Sequence, residues 1–485
     1  MYKKSKLFVL FLLSLSCSAQ KDSTKVSNSF IYGEVIASVA TGTSTPFWIK
    51  SNQYGTIPNT SSNGLIKAGT HIHLNKKWQL NAEGIVNTLA PSSSQLSIAN
   101  VIFQNKYIDF YVGRRKEVFG ICDTLGGSGS FIWSGNALPL PKVQVGTNGF
   151  VSPKFLGGKI AFQATLAHGW FGKGQFASNY YLHQKSLLLR IGRAQGRFTL
   201  YGGLFHFAQW GGEAPLLIGL NRTQPDGSLP KSFRDFGYVF IAKNTPKTPN
   251  ISSYDSVNRI GNHLGVLNIA LHWQTKKQNV LLYYQRPAET EAVFKYNFPD
   301  GQYGISWTNK SKTKGLKFEQ ISIEYLSTLR QNLRFTNQWG YLNDDYFNNS
   351  QYMDGWTYKN QILGTPFMSL RNDTQVRWFD VKGKYSDRNY QQVNGNSFIV
   401  YYLGLRVSYH NKNLFHFKAS HTQQHLFQNT DGSYQQLIHQ TSIYVDYQRQ
   451  LRSSATMKVS IAKDSGDWLP NTTGIYLSFF KRISL

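Results

Sequence analysis

Cysteine is almost absent: 485 residues hold two, Cys17 and Cys122. That excludes a disulfide framework and a metal centre built from thiolates. Charge is scarce as well, at 16% of residues, and acids are scarcer than bases, 25 against 52, for a net charge of +27. No apolar run reaches the roughly 18 residues that a transmembrane helix needs, and mean hydropathy is −0.36. Neither GxSxG nor HExxH occurs, and no phosphate-cradling Gly-rich loop opens a helix; "GGSGS" at 126–130 reads as a flexible linker. The chain predicts no enzyme, no cofactor and no metal. His71 and His73 share a strand face, but two strand histidines alone are a poor metal site.

What the chain has in quantity is rings and glycine: 28 Tyr, 32 Phe, 11 Trp and 42 Gly. This composition suits a large β structure. The pattern agrees. Ile399, Tyr401, Leu403, Leu405 and Val407 alternate with Val400, Tyr402, Gly404 and Arg406; Met457, Val459 and Ile461 alternate with Lys458 and Ser460. Such runs last about ten residues, the length of a tilted strand that crosses a bilayer. Short turns such as "NKK" (75–77), "RAQG" (193–196) and "LRQN" (329–332) alternate with longer, more varied loops near 41–62, 117–142, 171–183, 211–259, 287–316 and 344–396. Short turns inside and long loops outside are the signature of an outer-membrane barrel.

Eighteen segments satisfy that parity between 29–40 and 473–485, among them 143–151, 184–193, 197–210, 317–328 and 333–343. The fold class is all-β: a transmembrane antiparallel outer-membrane β-barrel of about 18 strands. The hairpin "RIGRAQGRFTLYGGLFHFAQWGG" (190–212) is apolar on both faces in places, so its outward parity stays open. The start, "MYKKSKLFVLFLLSLSCSAQ", reads as an export signal over residues 1–19, ahead of one barrel domain over 20–485. Cleavage at Cys17 as a lipoprotein is the alternative. The predicted location is the outer membrane of a Gram-negative bacterium. Removal of Lys3, Lys4 and Lys6 takes the net charge from +27 to +24. An exported basic chain meets anionic glycan, outer-membrane lipid and the phosphates of lipopolysaccharide, and no nucleic acid.

The loops carry the candidate site. "DDYFNNSQYMDGWTYKNQILGTPFM" (344–368) sets Tyr346, Tyr352, Trp356 and Tyr358 beside amides and Asp354, and Trp133, Trp170 and Phe171 repeat the theme elsewhere. Flat rings beside amides and carboxylates suit the apolar faces and hydroxyls of sugars; the same rings also suit packing of loop on loop. Arg115, Arg190 and Arg406 fall on the less apolar parity and are predicted to line the lumen, with Asp109 and Glu324 facing them.

Five blocks, "YVGRR" (111–115), "SGNALPLPKVQVG" (134–146), "LHQKSLLLRIG" (182–192), "GGLFHFAQWGG" (202–212) and "GWTYKNQILGTPFM" (355–368), together resemble the capsule assembly Wzi family of outer-membrane proteins. The resemblance implies an eighteen-stranded barrel and a lectin-like, non-enzymatic role, binding and anchoring capsular or exopolysaccharide at the cell surface. The chain departs from the family in one respect: no amphipathic helical stretch is present to build the small helical bundle of its best-known members. The rival function is a porin or oligosaccharide channel, which would need an open lumen.

Overall fold

The computed structural model describes residues 29–246, 252, 254–255, 258–289, 297–311, 315–331, 344–376, 392–428, 434–451 and 454–485. Eighteen antiparallel strands form one sheet. They are β1 (Phe30–Ala40), β2 (Ser62–His73), β3 (Trp78–Asn87), β4 (Gln95–Gln104), β5 (Ile108–Arg114), β6 (Lys142–Thr147), β7 (Ile160–Lys173), β8 (Ser178–Ile191) and β9 (Phe198–Trp210) in the first half. The second half holds β10 (Asn262–Gln274), β11 (Gln278–Pro287), β12 (Gly301–Asn309), β13 (Leu316–Ser327), β14 (Phe398–Tyr409), β15 (Asn413–Gln428), β16 (Tyr434–Gln450), β17 (Ala455–Gly466) and β18 (Thr472–Ser484). β1 pairs with β18 from Phe30↔Ser484 to Ala40↔Gly474, which closes the barrel. Closure leaves no sheet edge, so every strand can satisfy its backbone groups inside a bilayer.

The period-two pattern sorts the two faces. Val35, Val86, Leu187, Ile269, Ile323 and Leu477 are exposed on the outside, while Ile36, Leu65, Gln184, Asn268, Ser322 and Tyr476 are buried inside. Toward the extracellular end Tyr284 and Tyr303 stack at 4.3 Å, and Tyr325 and Tyr401 continue the row. Near the periplasmic turns Trp78 meets Phe103, and Phe415 meets Tyr447, each pair at 5.1 Å. These are the two aromatic belts that flank the hydrocarbon band of such a barrel. Among the described residues, no helix is long and apolar enough to cross a membrane; the strands do so.

The strand count holds at eighteen, but its composition differs from the sequence expectation. The predicted 287–316 loop contains β12, a short strand with two glycines. The predicted segment 333–343 lies outside the described residues, and β13 pairs directly with β14. As a result β13 runs opposite to the predicted direction. "LRQN" begins at the extracellular rim, where the Arg330 N–H donates to Asp300 at 2.8 Å and the Gln331 side chain donates to the Asn396 carbonyl. β8 begins six residues before the predicted 184, and β6 ends at Thr147 instead of 151. Tyr181, His183 and Lys185 take the outward parity of β8 under a covering helix, not lipid, so the expected polar–apolar alternation fails there.

Two helices matter below: a single turn, α1 (Phe47–Lys50), and α2 (Phe233–Ile241).

Candidate functional site: the loop-filled extracellular mouth

The extracellular loops turn inward and pack. Trp356 is fully buried, with its indole N–H donating to the Ile132 carbonyl at 2.8 Å. Its ring meets Phe207 of β9 at 5.5 Å, Trp133 at 5.8 Å and Phe171 at 6.1 Å. Phe171 stacks on Tyr180 at 4.5 Å, and Trp133 stacks on Phe207 at 5.7 Å. Backbone bonds stitch the loops: Ser134 N–H to the Leu363 carbonyl, Thr365 N–H to the Phe131 carbonyl. One apolar cluster therefore joins α1, the loop 115–141, the turn 174–177, the segment 344–370 and the lumen face of β9.

The loop 115–141 also descends along the lumen. Its Ser128 N–H and hydroxyl both donate to Glu324 of β13, and Tyr283 and Gln302 donate to the same carboxylate. Asp123 accepts from Ser306, Gln320 and Ser322. Burial raises the Asp123 acid, and the hydroxyl and backbone donors outweigh it, so it titrates below the usual carboxylate range. The Tyr402 hydroxyl donates to the Gly126 carbonyl at 2.8 Å. A Cβ on Gly404 would stand 1.9 Å from that same carbonyl oxygen, so glycine in mid-strand lets the loop touch the wall.

An ion network anchors the loop's start. Arg115 pairs with Asp109 at 2.9 Å and with Glu117 at 2.8 Å, and Lys142 pairs with Glu117 at 2.8 Å. The Lys142 ammonium also lies over Phe119 and Trp133, at 4.5 and 4.9 Å. Burial raises the Glu117 acid, but Lys142 and Arg115 outweigh it and hold the carboxyl below its ordinary range.

Above the buried rings, "TYKNQI" (357–362) makes a tight hairpin. Thr357 bridges Ile362, the Tyr358 and Gln361 backbones exchange hydrogen bonds, and Lys359 and Asn360 take φ of 51° and 56°. Two left-handed central residues define a type I′ turn, which sends Trp356 down and the tip outward. Beside the tip, facing the loop 41–61, lies a cleft of about 180 Å³. Lys50, Asn59, Asn136, Lys359, Asn360 and Asp373 line it over a floor of Ile57, Ile362 and Pro366. Lys50 pairs with Asp373 at 3.4 Å, and the Asn59 amide donates to the same carboxylate at 2.9 Å. The cleft is smaller than the roughly 300–1,000 Å³ of an enclosing small-molecule pocket, so it suits a short stretch of a polymer. Sequence reading missed this constellation, because its members come from three loops; the local signal available was Asn360, a residue type that tolerates the left-handed region a tight hairpin needs.

The predicted glycan contacts separate into three groups. Trp133, Phe171, Tyr346, Tyr352, Trp356 and Tyr358 are brought together, at most 5% exposed, inside the plug. As they stand, their faces meet one another and not solvent. Trp170 is 42% exposed, but it shares the outward parity of Leu166 on β7. Asp354 caps the turn 174–177, accepting from the backbone N–H groups of Gln175, Phe176 and Ala177 at 2.7, 3.1 and 2.8 Å. Asp354→Ala should loosen that turn by about 1.5–3 kcal/mol, and trypsin should then cut after Lys173 faster than in the parent; an unchanged digestion pattern would contradict the capping role.

The predicted lumen charges divide too. Asp109 and Arg115 meet as expected. Among the described residues Glu324 meets no cation at ion-pair distance: hydroxyl, amide and backbone donors of the loop and neighbouring strands surround it. Arg190 lies over Phe150 at 5.6 Å and reaches the Gly158 carbonyl, and Arg406 donates to Gln320 at 3.1 Å. His71 and His73 touch, Nε2 to Nε2 at 3.0 Å, and among the described residues no group of three potential ligands gathers to hold a metal.

Asp300 at the rim is buried beneath the Arg330 N–H, Tyr346 and Ser327. Burial outweighs these donors and pushes its carboxyl up to about 7. A raised folded-state value means the rim is most stable below the ordinary carboxylate range and loses stability as pH climbs to about 7. Asp300→Asn should remove that slope, read as equal hydrogen-exchange protection of 297–301 at pH 5 and pH 8.

No family model and no curated protein matches the chain. Among solved structures, the fold is similar to Wzi of Escherichia coli, described as an outer-membrane protein involved in group 1 capsule assembly and a carbohydrate-binding β-barrel. The TM-score is 0.59 at 12% identity, over 93% of this chain and 85% of that one. OpdL of Pseudomonas aeruginosa aligns over 94% of this chain and 98% of its own, at 8% identity and a TM-score of 0.46. OccAB4 of Acinetobacter baumannii aligns over 95% and 99%, at 6% identity and 0.44. The chain has the fold of an outer-membrane β-barrel.

Proposed function

We propose that the protein is a non-enzymatic polysaccharide-binding barrel that holds capsular or exopolysaccharide at the outer surface of the outer membrane. The observation that carries this reading is the extracellular mouth. Five loop and wall elements fill it with a packed aromatic core, and an amide- and charge-lined cleft lies on its outer side. A solute channel needs the reverse, an open lumen with polar walls. The likeness to a carbohydrate-binding barrel and the basic balance of the chain support the same reading. In it the buried rings, Trp356 and Trp133 above all, are the platform that positions the cleft, and Lys50, Asn59, Lys359, Asn360 and Asp373 make the contacts. Amides give directional hydrogen bonds to hydroxyls, and the two lysines attract carboxylate or phosphate on the polymer.

The test is a deletion strain in which polysaccharide on intact cells is compared with polysaccharide shed into the medium. Total production should stay constant while the surface share falls. Complementation with the parent should restore it, and complementation with Lys359→Ala plus Asn360→Gly should not, since glycine accepts the left-handed turn without strain. Retention unchanged in the deletion strain would sink the reading; conductance of the purified parent barrel in a planar bilayer would then favour a channel.

A further inference from the structure

The loop between β9 and β10 sends α2 outside the barrel. The parity of the wall shows this. On β8, Leu187 and Leu189 face lipid, and Lys185, His183 and Tyr181 continue that face toward the rim; on β9, Leu204 is followed by His206, Ala208 and Trp210. Ladder pairing keeps them level: Lys185 lies opposite His206, and Ala208 lies between His183 and His263. β7 adds His168 opposite His183. A patch of four histidines and a lysine thus stands on the face that elsewhere meets hydrocarbon.

α2 covers this patch. Phe236 lies 5.2 Å from Trp210 and 5.5 Å from His183, Phe240 lies 5.1 Å from His183, and Val239 is fully buried against Ala208, Trp210 and Ile260. This cluster is separate from the plug. The helix starts at the rim, where Ser232 and Asp235 form a capping box and Lys231 adjoins Gly211 at the end of β9. It descends from there, because the Lys185 ammonium, one outward position deeper than His183, donates to the Phe240 carbonyl. His206 and His263 bond each other at 2.9 Å, and His263 bonds the Ile260 carbonyl at 2.8 Å.

In water none of these arrangements would be needed. In an apolar layer, a lysine on the outer wall and the open carbonyls of a helix C-terminus are each costly, and here each satisfies the other. The far face of α2 points away from the barrel with Phe233 91% exposed and Ile241 59%, while Phe240, on the flank against His183, keeps one edge exposed. Among the described residues, nothing lies within 4 Å of where a Cβ on Gly237 would sit. Exposed rings with Arg234 at the upper end match a helix lying in a membrane interface.

We propose that α2 is a membrane flap, seated in the outer leaflet against the barrel wall, its outer face (Phe233, Gly237 and Ile241) covered by acyl chains of a phosphorylated glycolipid, with Arg234 at the level of the phosphates. The surface is continuous with the lipid-facing wall below it, at Leu187 and Leu204. This inference rests on the barrel fold and stands apart from the polysaccharide reading.

The test places an environment-sensitive fluorophore on Gly237→Cys in a Cys122→Ser background, with Ser92→Cys as an aqueous control. The protein is reconstituted in phosphatidylcholine vesicles doped with lipopolysaccharide. The label at 237 should be quenched by bromine-labelled acyl chains at least about twofold more than by aqueous iodide, with the order reversed at 92. Lys185→Met should shift the label at 237 toward iodide. Equal iodide quenching at both sites would overturn the proposal. Quenching by neither agent, with efficient cysteine cross-linking through 237, would overturn it in favour of a second copy of the chain.

Discussion

Trp356→Ala should open the barrel. The indole is buried where the loop 115–141, the segment 344–370 and the lumen face of β9 converge, and it ties Trp133, Phe171 and Phe207 together. Truncation of a buried tryptophan costs about 3–5 kcal/mol and leaves the Ile132 carbonyl without its donor. The strands do not depend on this ring, since ladder bonds and lipid contact hold them. The loss therefore falls on the plug: the barrel stays folded, seen as unchanged heat-modifiable migration on gels, while planar-bilayer recordings change from a flat baseline to frequent openings. Trp356→Phe should recover most of the closure, because it keeps the stacking surface and loses one hydrogen bond. A flat baseline for the alanine variant would mean that the loop 115–141 closes the lumen without help from 344–368.

Glu117→Ala should have the largest effect of any charge change. Removal of this carboxylate leaves Lys142, 1% exposed, with no anion, and leaves Arg115 with Asp109 alone. Breaking a buried pair from one side costs about 3–5 kcal/mol. The double variant Glu117→Gln plus Lys142→Met should recover most of that stability, because no charge is then stranded and methionine still packs against Phe119 and Trp133. The urea midpoint for loss of heat-modifiable migration checks both. The carboxyl also sets a pH limit. Its folded-state value is depressed, so its contribution is complete above the ordinary carboxylate range and is lost as pH falls through the depressed value. The parent should lose stability in acid, and the double variant should lose less. If single and double variants were equally unstable, the network would be incidental to the plug.

The barrel itself is legible in the chain because its cause is local. A strand between lipid and lumen must alternate, so Ile399 to Tyr409 and Met457 to Ile461 carry their orientation in their own residues, and turn residues mark where each run ends. Closure follows from the parity of those runs. The one barrel strand that the pattern does not mark, β12, has a local cause too: it is short and holds two glycines, so it does not stand out from the loop around it.

Three matters had no local cause. The face of 197–210 that meets lipid was unreadable, because both faces are apolar for different reasons: Leu200 and Leu204 meet hydrocarbon, while Phe205 and Phe207 support the plug. The start of β8 was hidden because Tyr181, His183 and Lys185 meet a helix that arrives from the next loop. The fate of the loop rings was also open. Trp133 and Trp356 can stack on a sugar or on each other, and nothing near either residue distinguishes the two; their meeting depends on how loops some two hundred residues apart fold over one mouth. Lipid acts on every strand through the same two-residue period and so writes itself into the chain, whereas contact between distant loops has no period and exists only once the barrel has brought them to the same end.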